Sequence, residues 1–158
     1  MGVTVVPVDA ATYAEVCDLL ARHPHQFDNL ALAAVPGAYT ADAVMGEAPL
    51  ARVVGGLPFG RVMFPHHTTD VAVHRVDEDT LRVWAKYFVI RGDGTAGSGD
   101  YQDTVVRTPL GWRIAERQVT RGNRPDDDPD GPSARSLSTA TWLAPRPAGE
   151  AAPVRAAS

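Results

Sequence analysis

The sequence predicts an α+β fold, with N-terminal helices packed on one face of a curved, mainly antiparallel sheet. Two observations carry this prediction. Helical apolar spacing dominates the first third of the chain, and from Pro65 onward apolar and polar residues alternate. Short hairpin-type connections, Asp77-Glu78-Asp79 and Pro109-Leu110-Gly111, then separate the alternating stretches.

Residues 10–28 carry Tyr13, Val16, Leu20 and Phe27 at helical spacing, and Asp9 stands where a cap is needed. Pro24 is expected to kink or break this helix, because it cannot donate to the carbonyl of Leu20 and restricts His23 before it. Residues 29–35 offer a second short helix closed by Pro36-Gly37, residues 41–45 a first short strand, and residues 50–54 a third short helix ending at Gly55-Gly56. Four strands follow, at 66–76, 80–90, 101–108 and 111–120, joined as a meander with a glycine-rich loop at 92–99. The ordered domain is expected over residues 1–122. Residues 123–158, rich in Pro, Asp, Ser and Ala, read as a disordered or extended tail, with Trp142-Leu143 as an anchor onto a surface groove.

A chain of 158 residues suits one domain and one core. With 44% hydrophobic and 22% charged residues, the composition is that of a globular protein. A net charge of −4 provides no broad basic field, so no nucleic-acid partner is expected. Cys17 is the only cysteine, which rules out an intramolecular disulfide and a cysteine-based zinc cage and fits a cytoplasmic setting. Neither a secretory leader nor an apolar run of membrane-spanning length is expected, and so no membrane partner.

Three stretches, 12–28, 66–90 and 99–119, occur in an order and spacing that resembles the SnoaL-like branch of the nuclear transport factor two-like superfamily. They include TYAEVCDLLARHPHQFD, HHTTDVAVHRVDEDTLRVWAKYFVI and GDYQDTVVRTPLGWRIAERQV. The resemblance implies a cone-like α+β barrel, in which a strongly curved mixed sheet wraps around the helices and leaves a pocket at its open end. It also implies action on small apolar molecules without metal or organic cofactor, and a homodimer formed through the outer face of the sheet. Dehydration, isomerisation and cyclisation all occur on this scaffold, as do proteins with no activity, so fold alone does not fix the reaction.

Two adjacent histidines pose the main question about the site. Strand parity puts His67, Thr69, Val71 and Val73 on one face and His66, Thr68, Asp70 and His74 on the other. The valines mark the first face as concave, which favours His67 for the pocket and sends His66 outward. A bulge would reverse this, because a slip of one residue flips every side chain. The resemblance supports each histidine in turn: aligning on Asp70 matches His67 to the family's pocket histidine, and aligning back from Val76 matches His66. No metal site is expected, since His66, Asp70 and His74 lie roughly 13 Å apart along the strand at ~3.3 Å per residue.

Asp28 ends the first helix, where the resemblance implies a pocket aspartate that orients the histidine; the competing reading is a cap for the helix that follows. Tyr13 shares the core-facing stripe and is a candidate phenol for steadying a carbonyl oxygen, against simple packing. His23, Phe27, Tyr87 and Asp103 complete the candidate pocket, although a salt bridge of Asp103 with Arg107 or Arg117 is the plainer account. The expected function is a cofactor-independent lyase, isomerase or cyclase for a small apolar metabolite, a polyketide-type intermediate being one candidate. The alternative is a non-catalytic ligand-binding or structural protein of the same fold.

Overall fold

A computed structural model describes residues 4–29, 37–56, 64–122 and 142. The elements in chain order are α1 (Ala10–Asp28), β1 (Tyr39–Met45), β2 (Ala48–Pro49), α2 (Leu50–Gly55), β3 (His66–Arg75), β4 (Thr80–Ile90), β5 (Ala96–Thr108) and β6 (Gly111–Gly122). The helix expected at 29–35 and Leu143 of the expected anchor lie outside the described residues.

Helix α1 starts as anticipated. The Asp9 carboxylate accepts the backbone N–H of Thr12 at 2.8 Å and its hydroxyl at 2.8 Å, which satisfies a donor that the first turn leaves open. Pro24 does not end the helix, which runs on to Asp28. The proline removes one carbonyl partner near the C-terminal end and is itself buried, while Phe27 beyond it packs into the core.

The sheet order is β2-β1-β6-β5-β4-β3, antiparallel throughout except for the parallel pairing of β1 with β6. It is therefore mixed and mainly antiparallel, as the α+β reading requires. β5 begins at Ala96, inside the stretch expected to be a loop, because Ala96 to Asp100 pair with Lys86 to Ile90 and leave a tight turn at 91–95. On the concave face Leu81, Val83 and Ala85 of β4, Val105 of β5 and Ile114 of β6 meet Val16, Leu19, Leu20 and Phe27 of α1. Full burial of each large aliphatic side chain contributes about 1.5–3 kcal/mol. Trp112 is buried in the same core.

β3 departs from simple alternation. Thr69 pairs with Lys86 and Ala72 with Trp84, so three steps along β3 match two along β4 and one residue is extra. Asp70 takes a left-handed backbone, φ 52°, at this bulge. The insertion inverts parity. His66 and Thr68 on one side of it share the concave face with Val73 on the other, while His67, Ala72 and His74 face outward.

An aspartate tolerates left-handed geometry better than a branched residue does. Asp70→Val should lower stability by about 1–2 kcal/mol, and Asp70→Gly should leave it equal or higher. Urea unfolding of the two variants beside wild type checks this order.

Candidate functional site

A cavity of about 570 Å³ lies between one flank of α1 and the start of β3. Cys17, Leu20, Ala21, Pro24 and Asp28 form its helical wall, and Pro65, His66, Thr68 and Val71 the wall opposite. The helical residues Cys17, Ala21, Pro24 and Asp28 recur at steps of four, three and four, a second stripe beside the core stripe. Sequence reasoning missed this stripe, although its spacing was there to be read.

Asp28 and His66 meet at the cavity wall. One carboxylate oxygen of Asp28 lies 2.7 Å from His66 Nδ1, and the other accepts the His66 backbone N–H at 2.6 Å. A carboxylate is acceptor only, so Nδ1 carries the imidazole proton and Nε2 is left as the basic nitrogen. Because Asp28 grips both backbone and ring, it sets the tautomer and the rotation of the imidazole together. Both side chains are partly shielded, 23% exposed for His66 and 16% for Asp28.

The bulge therefore decides between the histidines. His67, favoured by simple parity, is exposed on the outer face, where its ring stacks on Phe88 at 4.6 Å and 15°, although it too borders the cavity. Tyr13 is also displaced from its expected place. It is 42% exposed, its hydroxyl donates to the carbonyl of Val71 at 3.1 Å, and it is not part of the cavity wall. The buried stripe of α1 runs through Thr12, Val16, Leu19, Leu20, His23 and Phe27, which puts Tyr13 on its margin.

His23, Phe27, Tyr87 and Asp103 do not line the cavity; they form the core behind it. The Tyr87 ring lies 6.4 Å from that of His66 and stacks on Tyr101 at 4.5 Å and 14°. Gly99 makes room for it, since a Cβ there would come within 2.7 Å of the Tyr87 ring and 2.0 Å of the Thr120 carbonyl. Behind Tyr101 sits the Arg117 guanidinium, 4.1 Å from the ring. Arg117 is fully buried and held by Asp103 through two hydrogen bonds of 2.9 and 2.7 Å. The salt bridge that competed for Asp103 is the one formed. Burial opposes the charge on Arg117, but Asp103 and the neighbouring phenols outweigh it and hold the guanidinium above its ordinary range.

His23 shares a hydrogen bond of 2.8 Å with the Tyr39 hydroxyl. Burial pushes the Tyr39 phenol up to about 12, against the pull of Arg117, so it keeps its proton and is able to donate it to His23 Nδ1. Burial, then the charges of Arg117 and His66, push His23 well below the ordinary histidine range, and it stays neutral. Among the described residues no three His, Cys, Asp or Glu side chains converge as a metal site. No described helix is long and apolar enough to cross a membrane.

The chain matches the model of the SnoaL-like domain over residues 8–118. No curated protein matches it. Among solved structures it is similar to a protein of unknown function with a cystatin-like fold from Nostoc punctiforme, at TM-score 0.64 and 15% identity, covering 80% of this chain and 98% of that one. A proposed scytalone dehydratase from Novosphingobium aromaticivorans superposes at TM-score 0.58 with 16% identity, covering 75% and 89% of the two chains. The β subunit of a proposed aromatic-ring-hydroxylating dioxygenase from the same organism gives TM-score 0.57 and 20% identity, covering 73% and 94%. At these identities the likeness concerns the fold.

His23 binds a proton more readily when unfolded than when folded. The stability tied to its neutral form is complete above the unfolded value, ~6.5, and is lost as pH falls below it. The melting temperature should therefore drop between pH 7.5 and 5.5, and His23→Asn, which keeps an acceptor for Tyr39 but cannot titrate, should flatten that drop in calorimetric scans.

Proposed function

The chain belongs to the SnoaL-like domain family, and from that premise we propose that it is a lyase, isomerase or cyclase that works by general acid–base catalysis on a small apolar metabolite, using its own side chains without a cofactor. The observation that carries this reading is the Asp28–His66 pair at the wall of the cavity. With Nδ1 committed to Asp28, Nε2 of His66 takes a proton from a carbon next to a carbonyl, or returns one to a departing oxygen. Asp28 steadies the imidazolium that forms. The oxygen on which charge develops needs a donor, and Thr68 is suited to that role: it shares the concave face with His66, lines the same cavity, and its buried hydroxyl has no hydrogen-bond partner among the described residues. Leu20, Ala21, Pro24 and Val71 supply apolar surface for the rest of the molecule.

A polyketide-type intermediate remains one candidate substrate. The same apolar wall also favours the second reading, a protein that holds an apolar ligand and does no chemistry. An acid–base centre predicts a histidine and a carboxylate within hydrogen-bond reach, a demand that simple holding does not make, and this weighs toward catalysis. We further propose a homodimer through the outer face, where Phe88 and Ile90 are 37% and 50% exposed.

Comparing metabolites of cells with and without the gene identifies the compound that accumulates. On that compound His66→Ala should cut turnover by about 10²–10⁴-fold, with Asp28→Asn a smaller loss, while His67→Ala stays close to wild type. Normal turnover in His66→Ala would refute the assignment. Binding of the compound without conversion by wild type would establish the holding role instead.

A further inference from the structure

The corner of the outer face where β3 meets β4 gathers residues from both ends of the chain, and the acid–base chemistry makes no use of it. His74 is buried there, opposite Arg82. Its Nδ1 accepts the backbone N–H of Val6 at 2.9 Å, and the Val6 carbonyl accepts the N–H of Arg75 at 2.9 Å. Residues near the N-terminus thus run along the edge of β3. On its other side the His74 ring meets Trp142 at 6.2 Å and 66°. Trp142 is 4% exposed, and its ring also lies 5.9 Å from that of Trp84. Its carbonyl accepts from Arg82 Nε at 3.1 Å, and Arg82 Nη1 donates to Thr104 Oγ1 at 2.5 Å, which fixes the guanidinium between the Trp142 backbone and β5.

We propose that His74, Arg82 and Trp84 form a docking seat for this chain's own Val6 and Trp142, and that protonation of His74 releases both. The neutral ring accepts the Val6 N–H at a lone-pair nitrogen. An imidazolium has two donors and no acceptor, so the Val6 N–H would face another N–H. Protonation also sets a second cation opposite Arg82. Among the described residues the charged groups around this corner are Arg82 on β4, Glu116 on β6, Arg75 on β3 and, from the N-terminal side, Asp9. Both carboxylates are already engaged, Glu116 with Thr104 and Gln118, Asp9 with Thr12 and Arg75. Burial and then Arg82 hold His74 below the ordinary histidine range, so the seat is closed at neutral pH and opens on acidification. The hold on Trp142 is light. Among the described residues its indole N–H is buried without a hydrogen-bond partner, and they hold it through ring packing and one carbonyl.

The test is an NMR titration of the full-length protein from pH 7.5 to 5.0. It follows the His74 ring, the Val6 amide, the β4 and β5 amides, and the Trp142 indole N–H assigned with Trp142→Phe. The protection factor of the Val6 amide should fall at least tenfold and the indole signal should move, both with the midpoint of His74 and while β4 and β5 keep their protection. His74→Asn, whose amide oxygen replaces Nδ1 as acceptor without titrating, should hold Val6 and Trp142 across the range. Three results would overturn the proposal: His74 titrating with Val6 and Trp142 unmoved, the same transition in His74→Asn, or joint loss of β4 and β5 protection, which marks global unfolding. Should His74→Asn fail to fold, the wild-type titration still decides, since unmoved Val6 and Trp142 or joint loss of β4 and β5 protection each overturn the proposal.

Discussion

Strand β3 carries one residue more than β4 can pair with, and the left-handed backbone at Asp70 absorbs it. Everything at the cavity depends on that insertion. Downstream of it, Val73 must face the core because it packs against the α1 layer. With regular alternation His67 would then occupy the concave face and His66 the outer one. The extra residue lets the hydrophobic register of one half of the strand coexist with a polar concave face in the other half. Backbone strain at one position is thereby exchanged for a histidine that meets Asp28.

Behind the cavity the interior is polar to an unusual depth. Arg117 and Asp103 are both fully buried, and the pair is tolerable because each charge is met by the other in a two-bond fork. The guanidinium in turn lies against Tyr101, Tyr101 against Tyr87, and Tyr87 beside His66. Packed rings along this column leave little freedom for His66 to turn away from the cavity, so the core that stabilises the sheet also orients the imidazole. His23 reinforces this arrangement only while it is neutral, since a protonated ring would add a second buried cation near Arg117.

Most of the fold was legible because it rests on period. The start of α1, its Asp9 cap, the strand β4 and the turn before β6 follow from spacing and local hydrogen bonding, which neighbours along the chain determine, whereas the run of α1 past Pro24 does not. The early start of β5 was not, because the glycines at 97 and 99 look like loop residues until their cross-strand partners are known. Asp28 was singled out by the family resemblance, whereas its place at a helix end alone suggested a cap. The choice between His66 and His67 was not legible, since both readings of the strand satisfy the local pattern and only the pairing with β4 reveals the additional residue. Tyr13 was misplaced for a related reason: a helical stripe is wide, and its margin is settled by what packs against it.

The position of the cavity explains how such a scaffold separates its stabilising core from its cavity. The core stripe of α1 faces the middle of the sheet, whereas the stripe of Cys17, Ala21, Pro24 and Asp28 faces the edge strand β3. An edge strand has one neighbour fewer, so a bulge there disturbs one ladder instead of two. Side chains along this seam can change without touching the aliphatic contacts among α1, β4, β5 and β6. The Asp28–His66 contact, by contrast, requires both the exact end of α1 and the shifted register of β3. A single residue added to or removed from β3 would keep the sheet and lose the pair, which makes the register of that strand the feature on which an acid–base function stands.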